Sequence, residues 1–465
     1  MTNIPSISCG NPFAVGNIRL FIAFRVFFNA RFYYPVFTIL FLDFGLTLDQ
    51  FALLNAVWAA TNVLVEIPSG ALADSLGRKN VLLVSTILMI LEMALLCLAP
   101  RENPELLFGV FLINRLLSGT AEAAASGADE ALAYDTLNLC GRADEWPRVL
   151  DRQMRCQSIA FIAAMSVGAA VYDPALMERV FGWAGFPVQL SQADTLRFPI
   201  YLTLVMAFLA FGTVLRMREP AAGEAGSCFQ TDRCRSAMAL AFRRTIQAGH
   251  WIIMTPFALV LITAGMVFDH IARFAVTISS QYFRIIELPE ASFGLIGSGL
   301  ALLGMFVPRL SMHLTERRSP RFNFYLLAAI GLAGLWGLGV AAPLIGLAPM
   351  ILVFVVMMMN TFFLSHYLNR ITRSQERATV LSFRGLALNL AYGWIGIAYS
   401  LFFAWARRQP GILFPPAGSL SPDDAAFLLS LKWLPAYFAV LLILFLGFST
   451  YSLRRTDIHG KSGSE

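Results

Sequence analysis

Charge is scarce in this sequence. Only 14% of its 465 residues are Asp, Glu, Lys or Arg, against 57% hydrophobic residues and a mean hydropathy of +0.65. Soluble chains carry roughly a quarter of their residues as charges, so a soluble globular reading is excluded. Lysine is nearly absent, occurring only at 79, 432 and 461, and arginine supplies the remaining positive charge. The six cysteines (9, 97, 140, 156, 228 and 234) show no metal-ligand spacing and are expected as free thiols. There is no Gly-rich loop ending in Gly-Lys-Ser/Thr, no His-Glu-x-x-His pair and no Gly-x-Ser-x-Gly elbow. A nucleotide-driven pump, a zinc protease and a serine hydrolase are therefore not expected. No cofactor and no metal site is expected. The net charge of +6 is not a nucleic-acid footprint, because the bases lie in short loops between apolar runs.

What is present is a series of apolar runs long enough to cross a bilayer. Twelve are read: 18–42, 51–73, 81–99, 106–134, 157–172 and 198–216, then 251–282, 291–314, 322–342, 349–369, 379–406 and 426–453. The first contains Arg25 and Arg31 and reads as an uncleaved span, not a signal peptide. A polar stretch beginning Met217-Arg-Glu-Pro220, with a basic amphipathic piece around 233–244, separates the halves. The expected organisation is an N-terminal six-helix bundle (1–216), a linker with an amphipathic helix (217–250), a C-terminal six-helix bundle (251–455) and a short tail (456–465). Arginines cluster in alternate loops, including 142–155, 216–244, 317–321 and 370–377. By the positive-inside rule both termini are cytoplasmic.

One loop carries most of the information. Gly70-Ala-Leu-Ala-Asp74-Ser-Leu-Gly77-Arg78-Lys79 joins the second and third runs. It resembles the signature loop of the major facilitator superfamily, G-x-L-A-D-x-x-G-R-K, with every fixed position filled. The resemblance implies an all-α membrane protein of twelve transmembrane helices in two pseudo-symmetric six-helix bundles. It also implies a conformational latch of Gly70, Asp74, Gly77, Arg78 and Lys79, with Arg78 pairing an acid at the end of the fourth span, for which Asp135 is well placed. At an offset of about 240 residues, Pro308 to Arg318 is a worn copy of the same loop, as parallel halves require. In the fourth span, Arg115-Leu-Leu-Ser-Gly119 resembles the superfamily's R-x-x-x-G motif, whose arginine is tied to proton coupling. Glu66-Ile-Pro-Ser-Gly70, the run from Ser126 to Asp135 and Arg377-Ala-Thr-Val-Leu-Ser382 resemble a bacterial branch of that superfamily.

On physical grounds the charges inside the spans matter most. Arg115, Gly119, Glu122, Ser126 and Asp129 fall on one face of a continuous helix. Glu122 lies near the bilayer midplane, where an acid is costly and a functional candidate by default. The proton-coupling candidates are Glu122, Asp269 and Arg115. The substrate-cavity candidates are Arg25, Asn29, Arg31 and Tyr33 of the first span, Asp129 and Glu130 of the fourth, Asp269, His270 and Arg273 of the seventh, and Asn360 of the tenth. Asp269 and Arg273 are spaced to pair. The alternative for each arginine is a structural salt bridge. The methionine run 357–359 lacks the spacing of a soft-metal site, and the fifth span lacks the proline-glycine motif of many drug/proton antiporters. The expected function is secondary active transport of a small molecule, proton-coupled, with a small organic anion as cargo. Drug or metabolite efflux and a non-transporting sensor are the alternatives. The expected partners are substrate, protons and the lipid bilayer, for a monomer in a bacterial inner membrane.

Overall fold

In lipid every backbone polar group must be satisfied within the protein, so long apolar runs become helices. The computed structural model follows this rule. It describes residues 11–219, 239, 242–243, 246–247, 249–372, 377–408 and 421–461, with side chains at 74–75, 305, 377–379, 382 and 454–461 left out. Cys9, Cys228, Cys234 and most of the predicted amphipathic linker lie outside the described residues. Among those described there is no strand, and the helices are α1 (Gly16–Asn29), α2 (Phe37–Phe44), α3 (Leu48–Leu76), α4 (Arg78–Cys97), α5 (Pro104–Ala125), α6 (Ala128–Leu139), α7 (Trp146–Tyr172), α8 (Pro174–Trp183), α9 (Gln192–Thr195) and α10 (Phe198–Arg216). They continue with α11 (Pro256–Thr277), α12 (Ser279–Ile285), α13 (Glu290–Arg317), α14 (Pro320–Leu338), α15 (Leu347–Ile371), α16 (Arg377–Arg407) and α17 (Pro422–Lys461). Among the described residues, eleven helical stretches are long and apolar enough to cross a membrane.

Helix ends follow local chemistry. Prolines stand in the first turn of α5, α7, α8, α10, α11 and α14, where a missing N–H costs nothing. Asn103 caps α5 by accepting from the Glu105 and Leu106 amides, both at 3.1 Å. Pro68 and Pro308, matched by the sequence repeat, both sit inside helices, in α3 and α13.

Four spans differ from their sequence reading; the seventh, read as 251–282, is interrupted at Thr255 and Ile278, so that α11 and α12 are separate helices. The first is broken: α1 ends at Asn29, a 3-10 turn covers Tyr34–Val36, and α-helix resumes at Phe37. Pro35 has no N–H and disfavours helix in the residue before it. The stranded backbone is satisfied by neighbours, with the Phe32 amide donating to Thr203 Oγ1 at 3.1 Å. The fourth span is two helices, because Ser126 turns extended and Gly127 takes φ +76°, a left-handed conformation suited to glycine. Glu122 and Asp129 therefore do not share one continuous helix face. The fifth span starts at Trp146, not 157. Its polar first turns are an extension of the same helix, with Arg155 paired to Asp151 one turn back.

By internal packing the chain forms two units. One comprises residues 1–36, 61–242 and 291–298, and the other 37–60, 243–290 and 299–465. In the first, α4 packs between α5 and α10. Its core includes Phe24, Phe28, Leu82, Met89, Leu132 and Val214. In the second, α11 is the central helix, with 67% of its span buried. The rings of Phe268, Phe324, Phe363 and Phe438 pack together around it. In that unit α2 is stapled to α12: the Thr38 and Ile39 amides donate to Ser280 Oγ at 3.0 and 3.2 Å. Arg284 bridges Asp43, at 2.8 and 2.6 Å, and Glu290, at 2.9 Å.

The break in the first span imposes a steric demand on α7. A Cβ at Gly168 would collide with the Phe32 carbonyl, whereas one at Gly212 of α10 would meet nothing within 4 Å. Gly168→Ala is expected to cost about 1–3 kcal/mol through overpacking, seen as a lowered thermal midpoint in detergent. Gly212→Ala is expected to leave the midpoint unchanged or slightly raised. Equal effects would show that the close approach is not maintained.

Candidate functional site

In the first unit the first-span break delivers Arg31 into the protein interior. Arg31 is 3% exposed and pairs with Glu92 of α4, which is fully buried. The guanidinium also lies 5.5 Å over the Phe28 ring. Glu92 was not singled out from the sequence, although an acid in the middle of the third apolar run is the same signal that flagged Glu122. One helix away, Arg115 forks onto Asn114 Oδ1 at 3.1 and 2.9 Å. Asn114 Nδ2 donates to the Glu92 carbonyl at 2.8 Å. Arg31, Glu92, Asn114 and Arg115 thus form one connected polar group around buried Tyr33.

Glu122 stands beside this group and does not join it. The α5 backbone on either side is gripped by serines: Ser85 Oγ donates to the Ala121 carbonyl at 2.7 Å, and Ser69 Oγ to the Ala123 carbonyl at 2.9 Å. Alanine at 121, 123, 124 and 125 permits that close approach. The half-buried Glu122 carboxylate makes no hydrogen bond or ion pair among the described residues, and Arg31, Glu92 and Arg115 are the charges that act on it.

Arg25 of α1 forms a second cluster. It faces two acids at the start of α6, with Nε 2.6 Å from Asp129 Oδ2 and a terminal nitrogen on Glu130. Asp129 is 3% exposed, and its other oxygen accepts the Glu130 amide at 2.7 Å. Both acids lie in the first turn, where the helix dipole favours negative charge. Asn29 is spent locally, donating to the Arg25 carbonyl at 2.8 Å.

The signature loop is a third cluster, and its parts hold each other. Arg78 pairs with Asp135 and donates to the Ala131 carbonyl at 2.7 Å. The amides of Arg78 and Lys79 open α4, and both donate to the Glu219 carboxylate, at 3.0 and 2.7 Å. Glu219 is thus the anion at this helix N-terminus. Lys79 Nζ reaches the Leu215 carbonyl at 3.2 Å. Gly77 has φ +92°, and a Cβ there would stand 3.3 Å from the Glu219 carboxyl carbon. Gly70 is exposed, with open space where a Cβ would be. The Asp74 side chain lies outside the described residues.

In the second unit Asp269 pairs with Arg273. Arg273 also donates to Asn389 Oδ1 at 2.8 Å and lies 5.0 Å over the Tyr392 ring. His270 is held at both ring nitrogens, by the Met266 carbonyl at 2.5 Å and the Tyr437 hydroxyl at 3.1 Å. Asn360 is buried against α11, donating to the Gly265 carbonyl at 3.3 Å, a helix-packing contact. Asn389, Tyr392, Arg384 and Tyr437 were not named from the sequence. Arg384 carried a visible signal, as a base seven residues inside an apolar helix. Among the described residues no cluster of three or more His, Cys, Asp or Glu is arranged to hold a metal.

Removing one partner of a buried ion pair leaves the other charge uncompensated, at a cost of about 3–5 kcal/mol. Glu92→Gln or Arg31→Gln is expected to lower the thermal midpoint of the purified protein strongly. The double variant Arg31→Met/Glu92→Met is expected to recover most of that loss. A double variant as unstable as the singles would show that the pair acts through other partners.

No curated protein sequence matches the chain. Among solved structures, a bacterial homologue of the human lysosomal transporter Spinster superposes with a TM-score of 0.67 at 16% identity, covering 97% of this chain and 98% of its own. The nucleoside transporter NupG gives 0.64 at 13% identity, with 93% and 98% covered. A D-xylose-proton symporter gives 0.62 at 13% identity, with 93% and 96% covered. At these identities the likeness establishes the fold. A family model described as Major Facilitator Superfamily matches residues 19–396. That match covers most of the chain, both charge clusters of the first unit and the signature loop, and on it the chain belongs to the major facilitator superfamily, as a multi-pass membrane transporter.

Proposed function

We propose that the protein is a proton-coupled secondary transporter that works by alternating access and carries a small organic anion. The observation behind this reading is Glu122. It is a carboxyl inside a membrane span with no hydrogen bond or ion pair among the described residues, between a buried ion pair and a second arginine. Intramembrane acids are expensive and rare, and they mark proton and substrate paths. A movement that changes the distance from Glu122 to Arg31 and Arg115 would change its hold on a proton. Alternating access supplies such movements. Arg115, the motif arginine, is the residue through which the conformational change reaches Glu122 in this account. The Arg78–Asp135 pair and the Glu219 cap on α4 act as the latch of one conformational state. The arginine distribution supports cytoplasmic termini, in the inner membrane of a bacterium.

Efflux of cationic or neutral compounds is the second reading. The observation that favours it is the Arg25 cluster, where one arginine faces both Asp129 and Glu130. Reconstituted protein in liposomes loaded with a pH-sensitive dye separates the two readings. Organic acids, not amines, are expected to elicit proton movement. Glu122→Gln is expected to abolish that movement while retaining exchange of labelled cargo. Proton movement of wild-type size in Glu122→Gln would remove Glu122 from the coupling step, and a response to amines alone would favour efflux.

A further inference from the structure

Inside α16 the second unit holds a guanidinium that no described residue neutralises by contact. Arg384 sits half-buried on α16. Among the described residues it makes no hydrogen bond and no ion pair, and its Nε is buried without a partner. Asp269 is the charge that acts on it, but Asp269 is already paired with Arg273. Arg273 is fixed in turn by Asn389 and the Tyr392 ring. His270 contributes no anion, because an imidazole is neutral or cationic, and both its nitrogens are engaged, by the Met266 carbonyl and the Tyr437 hydroxyl. The group therefore contains two arginines and one aspartate, an excess of one positive charge.

A buried donor left unmade is costly, and a charge within a span more so. A ligand that arrives with one negative charge removes both costs. The guanidinium fork matches a planar carboxylate, donating two parallel N–H bonds to its oxygens. We propose that Arg384 anchors a carboxylate-binding subsite in the second unit and that the subsite takes a monocarboxylate. Charge matching makes the choice: a single carboxylate neutralises the excess, whereas a dicarboxylate brings a second charge towards Asp269. The subsite rests on the anionic-cargo reading above and sharpens it to one residue and one functional group.

The test is thermal unfolding of the full-length protein in detergent, followed by tryptophan fluorescence. The probes are sodium acetate, lactate, benzoate, gluconate, succinate, citrate and inorganic phosphate, each compared with chloride at constant ionic strength. Ligands of the folded state raise the midpoint by mass action. At least one monocarboxylate is expected to raise it saturably, and more than succinate or phosphate does. Arg384→Gln is expected to keep or raise the chloride midpoint, since it removes an uncompensated charge, and to weaken apparent affinity about tenfold or more, the worth of a charge-assisted hydrogen bond. Arg384→Lys keeps the charge without the fork and is expected to fall between; it carries the comparison if the glutamine variant unfolds early. Unchanged stabilisation in both variants, no response to any monocarboxylate, or a response to phosphate alone overturns the subsite. The proton-coupled reading fails separately. Monocarboxylate binding through Arg384 with transport indifferent to a proton gradient ends that reading and leaves the subsite standing, whereas proton-driven transport of an amine alone ends the subsite.

Discussion

The Arg31–Glu92 ion pair is the constraint on which the first unit depends. It joins the broken middle of the first span to α4, with both side chains almost fully buried. An unpaired charge in that position would be prohibitive, and a pair is tolerated only with close geometry and further polar support. The support is visible: Asn114 ties Arg115 to the Glu92 backbone, and the Phe28 ring lies under the guanidinium. Broken helices inside a membrane persist only where the freed backbone is buried in protein or faces a cavity. Here Thr203 satisfies the Phe32 amide and Gly168 admits the Phe32 carbonyl. The ion pair, the break and the small residue opposite it form one device.

With Arg31 and Glu92 paired to each other, Glu122 is the carboxylate of this region that makes no hydrogen bond or ion pair among the described residues. That separation of roles has a physical logic. A transporter needs charges that never move, to hold the helices, and a few that can change partner or protonation state. Arg31, Glu92, Asp269 and Arg273 have the first character, being paired within their own unit. In the proposed function Glu122 and Arg384 take the second, one acid in the first unit and one base in the second, neither with an ion-pair partner among the described residues. The Arg25 cluster is intermediate, with one base shared between two acids. Neutralising an imbalance of this kind is the work expected of a proton or an ionic cargo.

The fold was legible in the sequence because membrane helices announce themselves by length and polarity, and every fixed position of the signature loop is filled. Eleven of the twelve predicted spans correspond to helices long and apolar enough to cross. The twelfth, the first in the chain, hides its break. Pro35 was visible, but a proline alone does not distinguish a kink from a full interruption, and the outcome was decided by Thr203 and Gly168 on other helices. The Gly127 break in the fourth span was likewise invisible to periodicity, since alanine-rich sequence on both sides favours helix. At the site, residue type gave away Arg31, Asp269, Arg273 and Glu122, because any charge in an apolar run is conspicuous. Partnerships were harder. Asp269 with Arg273 is a local i, i+4 pair and could be read directly. Arg31 with Glu92 joins residues 61 apart in sequence, and only packing brings them together. Asn360 was conspicuous as a polar residue in an apolar run, but the contact of its Nδ2 with the Gly265 carbonyl, 95 residues away in sequence, comes only from packing, and its Oδ1 is buried without a hydrogen-bond partner among the described residues.

The claim at the centre of this account is that Glu122 is the carboxyl that exchanges a proton, while Glu92 stays fixed as the partner of Arg31. Infrared difference spectroscopy of the purified protein between acidic and alkaline conditions tests it directly, because a protonated carboxylic acid has its own C=O stretching band. The expected wild-type difference spectrum contains, beside the band of the exposed carboxyls, a separate component from a carboxylic acid shielded from water, and Glu122→Gln removes that component. An unchanged component in Glu122→Gln would contradict the claim and move the proton to another acid of the molecule.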